Sequence, residues 1–136
     1  MAGTADGIPV LDLSYIADGP LDRYSVVVYG TERQHCKKPA ADADNQVCGV
    51  VQQLAAASGD SVKVRKMGLS KVIAGEALPK ALEVTIDYVD ATTNGGRVKD
   101  PDVWASGDAV VGVMEELAEA SGDLIECWLR IHTKLG

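Results

Sequence analysis

The chain has 136 residues, 46% of them hydrophobic and 24% charged, and a formal net charge of −7. That length gives room for one domain, or one domain and an arm. A compact chain of this size buries about two-thirds of the surface it exposes when unfolded, so its core needs no disulfide or metal staple. The negative charge argues against nucleic acid as a direct partner, since the densest basic stretches, Lys37-Lys38 and residues 63–66, are short. No stretch approaches the ~18 consecutive apolar residues of a membrane span, so no membrane partner is expected.

The apolar residues are unusual in kind. Phe is absent, Val and Ala are abundant, and only two Trp and four Tyr supply aromatic bulk. Small β-branched side chains suit thin, closely apposed sheets better than a wide ligand cavity. The three cysteines, Cys36, Cys48 and Cys127, are odd in number and lack CxxC spacing. They read as reduced thiols of a protein made in a cytoplasm.

Residues 1–23 differ in character from the rest of the chain. Basic residues are absent before Arg23, and Asp12 interrupts the apolar stretch, so a signal peptide is not expected. Leu11, Leu13 and Tyr15 alternate with Asp12 and Ser14, between Gly3, Gly7, Pro9, Gly19 and Pro20. This is either a disordered terminus or an edge strand, or an extended arm that adds a strand to a neighbouring subunit.

From residue 24 onward the chain resembles itself. YSVVVYG at residues 24–30 and VTIDYV at residues 84–89 are apolar strand patterns. VCGVVQQLAAASGDSVKV at residues 47–64 and VVGVMEELAEASGDLIEC at residues 110–127 match at a constant offset of 63. Nine of their eighteen positions are identical: Val47, Gly49, Val50, Leu54, Ala55, Ala57, Ser58, Gly59 and Asp60. Ser-Gly-Asp supplies turn chemistry, and Asn94-Gly95-Gly96 is a further hairpin signal. After the second turn, Ile125, Cys127, Leu129 and Ile131 alternate with Glu126, Trp128 and Arg130, the period of a strand with one buried face. Val110, Val113, Met114, Leu117 and Ala118 also fit helical spacing, but Gly112 and Gly122 bound that piece too tightly for a long helix. The expected fold is all-β: a compact barrel or sandwich of two repeated units, at about 24–68 and 84–131, with an extended N-terminal arm at 1–23, a β domain at 24–136 and at most one short helix.

Catalytic constellations are hard to find. His35-Cys36 invites a nucleophile reading, but Cys36, Cys48 and Cys127 each align with Val in the other copy, as small buried hydrophobes do. His35 and His132 lie far apart without a ligand cluster, and Asp42, Asp44, Asp100 and Asp102 read as solvated loop residues. Neither GxxxxGK[ST] nor GxGxxG occurs. No catalytic residue, cofactor or metal is therefore expected. The copies differ most on the outward face of the last strand, where Ser61, Lys63 and Arg65 have Leu124, Glu126 and Trp128 as counterparts. An apolar face, and Trp in particular, is what interface anchors use. The candidate interface is Ile8, Val10, Leu11, Leu13 and Tyr15 of the arm, with Trp104, Leu124 and Trp128, although both Trp residues also suit packing within the domain.

With those residues in place, the chain resembles the capsid cement (decoration) proteins of tailed bacteriophages. Their pattern of apolar strand, Ala-rich acidic loop, "GV" strand, small-residue turn and closing strand is similar to ADADNQVCGVVQQLAAASGDSVKV and to WASGDAVVGVMEELAEASGDLIECWL. GLSKVIAGE at residues 68–76 resembles a further passage of the family, and the likeness spans roughly residues 24–131. The resemblance implies a homotrimer on the outer face of an icosahedral shell, bridging major capsid subunits, with the virion as its location and no enzymatic activity. The acidic balance fits a site away from the packaged genome. The chain departs from a plain member in the length of residues 1–23 and of residues 94–104.

Two other classes fit the residues less well. A lipoyl- or biotinyl-type carrier barrel needs a modifiable Lys at a hairpin tip, and both tips read Ala-Ser-Gly-Asp. A carbohydrate- or receptor-binding β-module needs exposed aromatics, for which Trp104 and Trp128 are the candidates.

Overall fold

The computed structural model describes residues 9–40, 46–79, 82–87, 96–101 and 103–134. It is all-β, with no helix among the described residues. The strands are β1 (Leu11–Ala17), β2 (Val26–Tyr29), β3 (His35–Lys37), β4 (Val47–Val51), β5 (Ser61–Ile73), β6 (Glu83–Asp87), β7 (Arg97–Lys99), β8 (Ala109–Met114) and β9 (Leu124–Thr133). The stretch with mixed periodicity, beginning at Ala109, is strand up to Met114 and then turns.

The order β1-β3-β2-β4-β5 closes on itself, because β1 also pairs antiparallel with the first part of β5, from Leu11 opposite Met67 to Ile16 opposite Ser61. This is a five-stranded barrel. β5 then runs on, and Met67–Ile73 pairs with β9, continuing as β5-β9-β8-β6-β7. A parallel bridge between Ala74 and Val98 brings β7 back to the end of β5, so the second set also curls round. Gly68, at φ +101°, stands where β5 passes from one barrel to the other. A Cβ there would lie 2.5 Å from the Pro9 carbonyl oxygen, so only glycine lets the chain's beginning cross β5 this closely.

Equivalent residues occupy equivalent places in the two barrels. Val50 lies opposite Arg65 in the first, and Val113 opposite Trp128 in the second, 63 positions on. Val27 faces Gly49 as Val84 faces Gly112. The parallel pair Ala17–Cys36 corresponds to Ala74–Val98. At the turns, Asp60 accepts hydrogen bonds from the Ala56 and Ala57 amides, and Asp123 from those of Glu119 and Ala120, at 2.9–3.2 Å. The Ala105-Ser106-Gly107-Asp108 turn uses the same device, Ala105 N donating to Asp108 at 2.9 Å. The identical Gly49 and Gly112 have one cause: a Cβ would meet the carbonyl oxygen of Arg65 at 2.4 Å and of Trp128 at 1.9 Å.

The first core holds Tyr15, Ala17, Leu21, Val27, Cys36, Cys48, Val51, Ala55, Val62 and Val64. The ten counterparts, Val72, Ala74, Leu78, Val84, Val98, Val111, Met114, Ala118, Ile125 and Cys127, all belong to the second. Val26, Val28, Val47 and Val50, on the outer side of the first barrel, are buried in that second core as well. This is why β4 is apolar throughout and not alternating: VCGVV has one barrel on each side. Each valine so removed from water contributes about 1.5–3 kcal/mol, which holds the barrels together as one body.

The expectation of a separate arm over residues 1–23 gives way to this pairing. Leu11–Ala17 is a strand of the chain's own sheet, and Tyr15, Ala17 and Leu21 are core residues. The period-2 pattern there is that of a strand satisfied by β5 of the same chain. Unit boundaries at about 24–68 and 84–131 shift accordingly, the first barrel starting at Leu11 and the second taking the latter half of β5. Residues 1–8, Asn94 and Gly95 lie outside the described residues.

This architecture makes three variants informative. Gly49→Ala and Gly112→Ala should each destabilise by about 1–3 kcal/mol, from forced backbone shifts, seen as lower urea midpoints at unchanged slope. Deleting residues 1–23 should abolish cooperative thermal unfolding, and a truncated chain melting like the full one would show β1 to be dispensable.

Candidate functional site

The residues nominated from sequence fall into separate groups. Val10, Leu11 and Leu13 are exposed at the start of the first barrel, with exposed Met67 paired to Leu11. Tyr15 is not among them: it is 9% exposed and packs in the first core, its ring 6.4 Å from that of Tyr29. On the second barrel, Trp128 pairs with Leu69 and Leu124 with Ile73. Leu124 is exposed and Trp128 half-buried, so the apolar face of β9 stands partly open to solvent. Trp104 is half-buried elsewhere, with Lys134 Nζ 4.9 Å from its ring centre. Ile8 lies outside the described residues. Outward positions of β5, Met67, Leu69 and Ile73, thus run between the Leu11 group and the Trp128–Leu124 group as a partly exposed apolar strip, interrupted by Lys71.

The thiols and histidines do not assemble into a reactive site. Alternation on β3 sends Cys36 into the core and His35 outward, so these sequence neighbours face apart. Burial pushes the Cys36 and Cys127 thiols up to about 12, and burial also raises Cys48. A thiol so raised is a poor nucleophile at neutral pH. All three cysteines are free thiols. Among the described residues no three His, Cys, Asp or Glu side chains are placed to hold a metal ion.

One cluster was not foreseen. Lys66 Nζ donates to Tyr29 Oη at 2.9 Å and to the Cys48 carbonyl at 3.0 Å, and it lies 5.0 and 4.8 Å from the ring centres of Tyr15 and Tyr29. Burial opposes its charge, but hydrogen bonding to both tyrosine hydroxyls holds its pKa above the ordinary lysine value. The counterparts of Lys66, Tyr15, Tyr29 and Cys48 in the second barrel are Leu129, Val72, Ile86 and Val111. The first barrel therefore carries a satisfied, part-buried cation where the second has aliphatics. The sequence signal was Lys66 standing against Leu129 within the aligned copies.

A polar seam lies where the barrels join. Arg65 forks onto Asp12 at 2.8 and 3.1 Å and donates to the Leu69 carbonyl at 2.8 Å. The Arg65 hydrogen bond holds Asp12 below the usual carboxylate range despite partial burial. Gln52 donates to Ser70 Oγ at 2.9 Å. With Tyr24, Lys71 and Glu126 these residues line an open depression of about 220 Å³. Arg65 and Gln52 are already engaged by protein partners there, so the chemistry of the depression is that of a structural seam.

No family model and no curated protein sequence matches the chain. Among solved structures the chain is similar to the N base of head fiber gp8.5 in bacteriophage phi29, with a TM-score of 0.61 at 19% sequence identity. The match covers 94% of this chain and 99% of that one, and at that identity it is a likeness of fold.

His35 gives the surface of the first barrel a pH dependence. Its Nδ1 lies 2.5 Å from Asp18 Oδ1, and Glu32 is 3.7 Å from its Nε2. The hydrogen bond to Asp18 raises its pKa above the ordinary value, against the opposing effect of burial. A raised folded value means stabilisation that is complete below about pH 6.5 and lost as pH climbs through the folded pKa. Urea midpoints should fall as pH rises above about 6.5, and His35→Gln should flatten that decline. An identical slope in the variant would assign the dependence to another group.

Proposed function

We propose that this chain is a structural protein of a tailed-phage head, which sits on the outside of the shell and stabilises it by bridging neighbouring major capsid subunits. The observation that carries the reading is the end-to-end likeness of fold to the phi29 head-fiber base, a protein of a phage head. The cement-protein pattern noted in the sequence leads to the same setting independently.

The chemistry of the surface supports a mechanical role. The thiols are buried and held protonated, and Lys66 is engaged by Tyr29 and the Cys48 carbonyl. What the surface offers is apolar: the Val10, Leu11, Leu13 and Met67 group, and Leu124 beside half-buried Trp128. Contacts of this kind stabilise by removing area from water and need no reacting group. In this reading the chain works as a homotrimer made by duplication of one barrel unit, with the corresponding pairings and the ten corresponding core positions as the trace of that duplication. It takes no cofactor and catalyses no reaction.

The test is co-sedimentation with expanded shells assembled without this chain, from the major head protein encoded in the same genome. Saturation at a fixed ratio, and raised resistance of the decorated shell to heat, are expected. Failure to bind such shells would overturn the reading.

A further inference from the structure

Most of the nine positions identical between residues 47–64 and 110–127 belong to the core or to the turn. Val47, Val50 and Ala55 are buried, Gly49 admits a carbonyl oxygen, and Ala57, Ser58, Gly59 and Asp60 build the turn. The large apolar side chain among them that lies outside the core is Leu54, with Leu117 as its counterpart. These side chains are 66% and 59% exposed, so folding does not explain why both copies carry leucine.

The backbone beneath each leucine is fixed. On one side, Gln53 Oε1 accepts from the Lys63 amide and Glu116 Oε1 from the Glu126 amide, both at 2.9 Å. On the other, Ala55 exchanges two backbone hydrogen bonds with Leu21, and Ala118 exchanges two with Leu78, at 2.8–3.0 Å. The aspartate turns close each loop. An apolar side chain held out on a rigid loop loses little further freedom on docking, which is what an interface anchor requires.

The loops also stand far apart. One ends at Ser61, where β5 begins, and the other ends beside Leu124, which pairs with Ile73 at the end of β5. Twelve residue steps at about 3.3 Å put them up to ~40 Å apart along the strand. We propose that Leu54 and Leu117 are two equivalent anchors, each seated in the same apolar socket on a separate copy of one partner, namely adjacent subunits of the shell. The inference rests on the head-protein reading above and assigns the contacts within it. Glu115, Glu116 and Glu119 flank Leu117 in sequence where Gln52, Gln53 and Ala56 flank Leu54, and the proposal gives the socket a basic rim that the second loop engages more strongly.

The test compares the full chain with Leu54→Ser, Leu117→Ser and the double variant, titrated onto the same undecorated shells. All variants should melt with the parent. Each single substitution should lower apparent affinity by at least about a hundredfold, because binding falls back from two points to one. Added salt should weaken Leu54→Ser, which keeps the acidic loop, more than Leu117→Ser. A double variant that binds like the parent overturns this inference and leaves the head-protein reading intact. Loss from one leucine alone overturns the equivalence of the two. Parent chain that ignores the shells overturns both readings. Leucine-dependent self-association without shells assigns the anchors to a second copy of this chain instead, and so also overturns the inference.

Discussion

Strand β5 belongs to two barrels at once, and the rest of the molecule depends on that. Its first half closes the first barrel against β1, and its second half opens the second barrel against β9. A five-stranded barrel of small β-branched residues has a thin core, and neither set here is complete without β5. The valines of β2 and β4 then fill the joint, with Val27 and Val51 in the first core and Val26, Val28 and Val50 in the second. A wall packed on both faces cannot shift register by one residue without exchanging the contents of two cores.

This arrangement explains what the sequence disclosed and what it hid. The hairpins at residues 47–64 and 110–127 were legible because the turn aspartates, the glycine at a carbonyl contact and the alternating core are all local demands. Cysteine against valine at three aligned positions correctly marked the thiols as packing. Strand β1 was not legible as part of the unit. Its counterpart is the second half of β5, and LDLSYIA shares little with GLSKVIA beyond the final Ile-Ala, because Leu13 is exposed where the matching Ser70 is buried. Ladder hydrogen bonds, which ask nothing of side chains, carry that correspondence. A sequence comparison therefore sees an arm where the backbone makes a closing strand.

The nominated site fared according to the same logic. Leu124, on the outward face of β9, is exposed, whereas the alternating face of Leu11, Leu13 and Tyr15 is exposed at its start and buried at Tyr15. The core position of Tyr15 depends on pairing with β5, which period does not disclose. The Lys66 cage left only a faint mark in the sequence, Lys66 against Leu129, since three strands bring Tyr15, Tyr29 and Cys48 to one lysine. Exposure of Leu54 and Leu117 was hidden for the opposite reason: an apolar residue between strand and turn reads as core until the structure shows how little covers it.

Divergence between the halves follows a rule that separates folding from use. Most core positions stay apolar in both halves, Tyr15 against Val72 being a change of size, while the charge balance shifts: 7 basic and 7 acidic residues fall in residues 11–67, against 6 and 12 from residue 68 onward. A core substitution must be matched within a closely packed interior, whereas an exposed one is constrained by what it meets. On the duplication proposed above, two copies under the same folding constraint but facing different surroundings should drift apart in this way, keeping equal only those outer groups that meet equal surfaces. Among large apolar side chains, the leucine between β4 and β5 and its twin between β8 and β9 answer that description. Gln53 and Glu116 serve the same backbone bond with different charge, so the loop's shape was retained while its electrostatics changed. Shape held constant under changing charge is what a contact shared by both ends of β5 would leave behind.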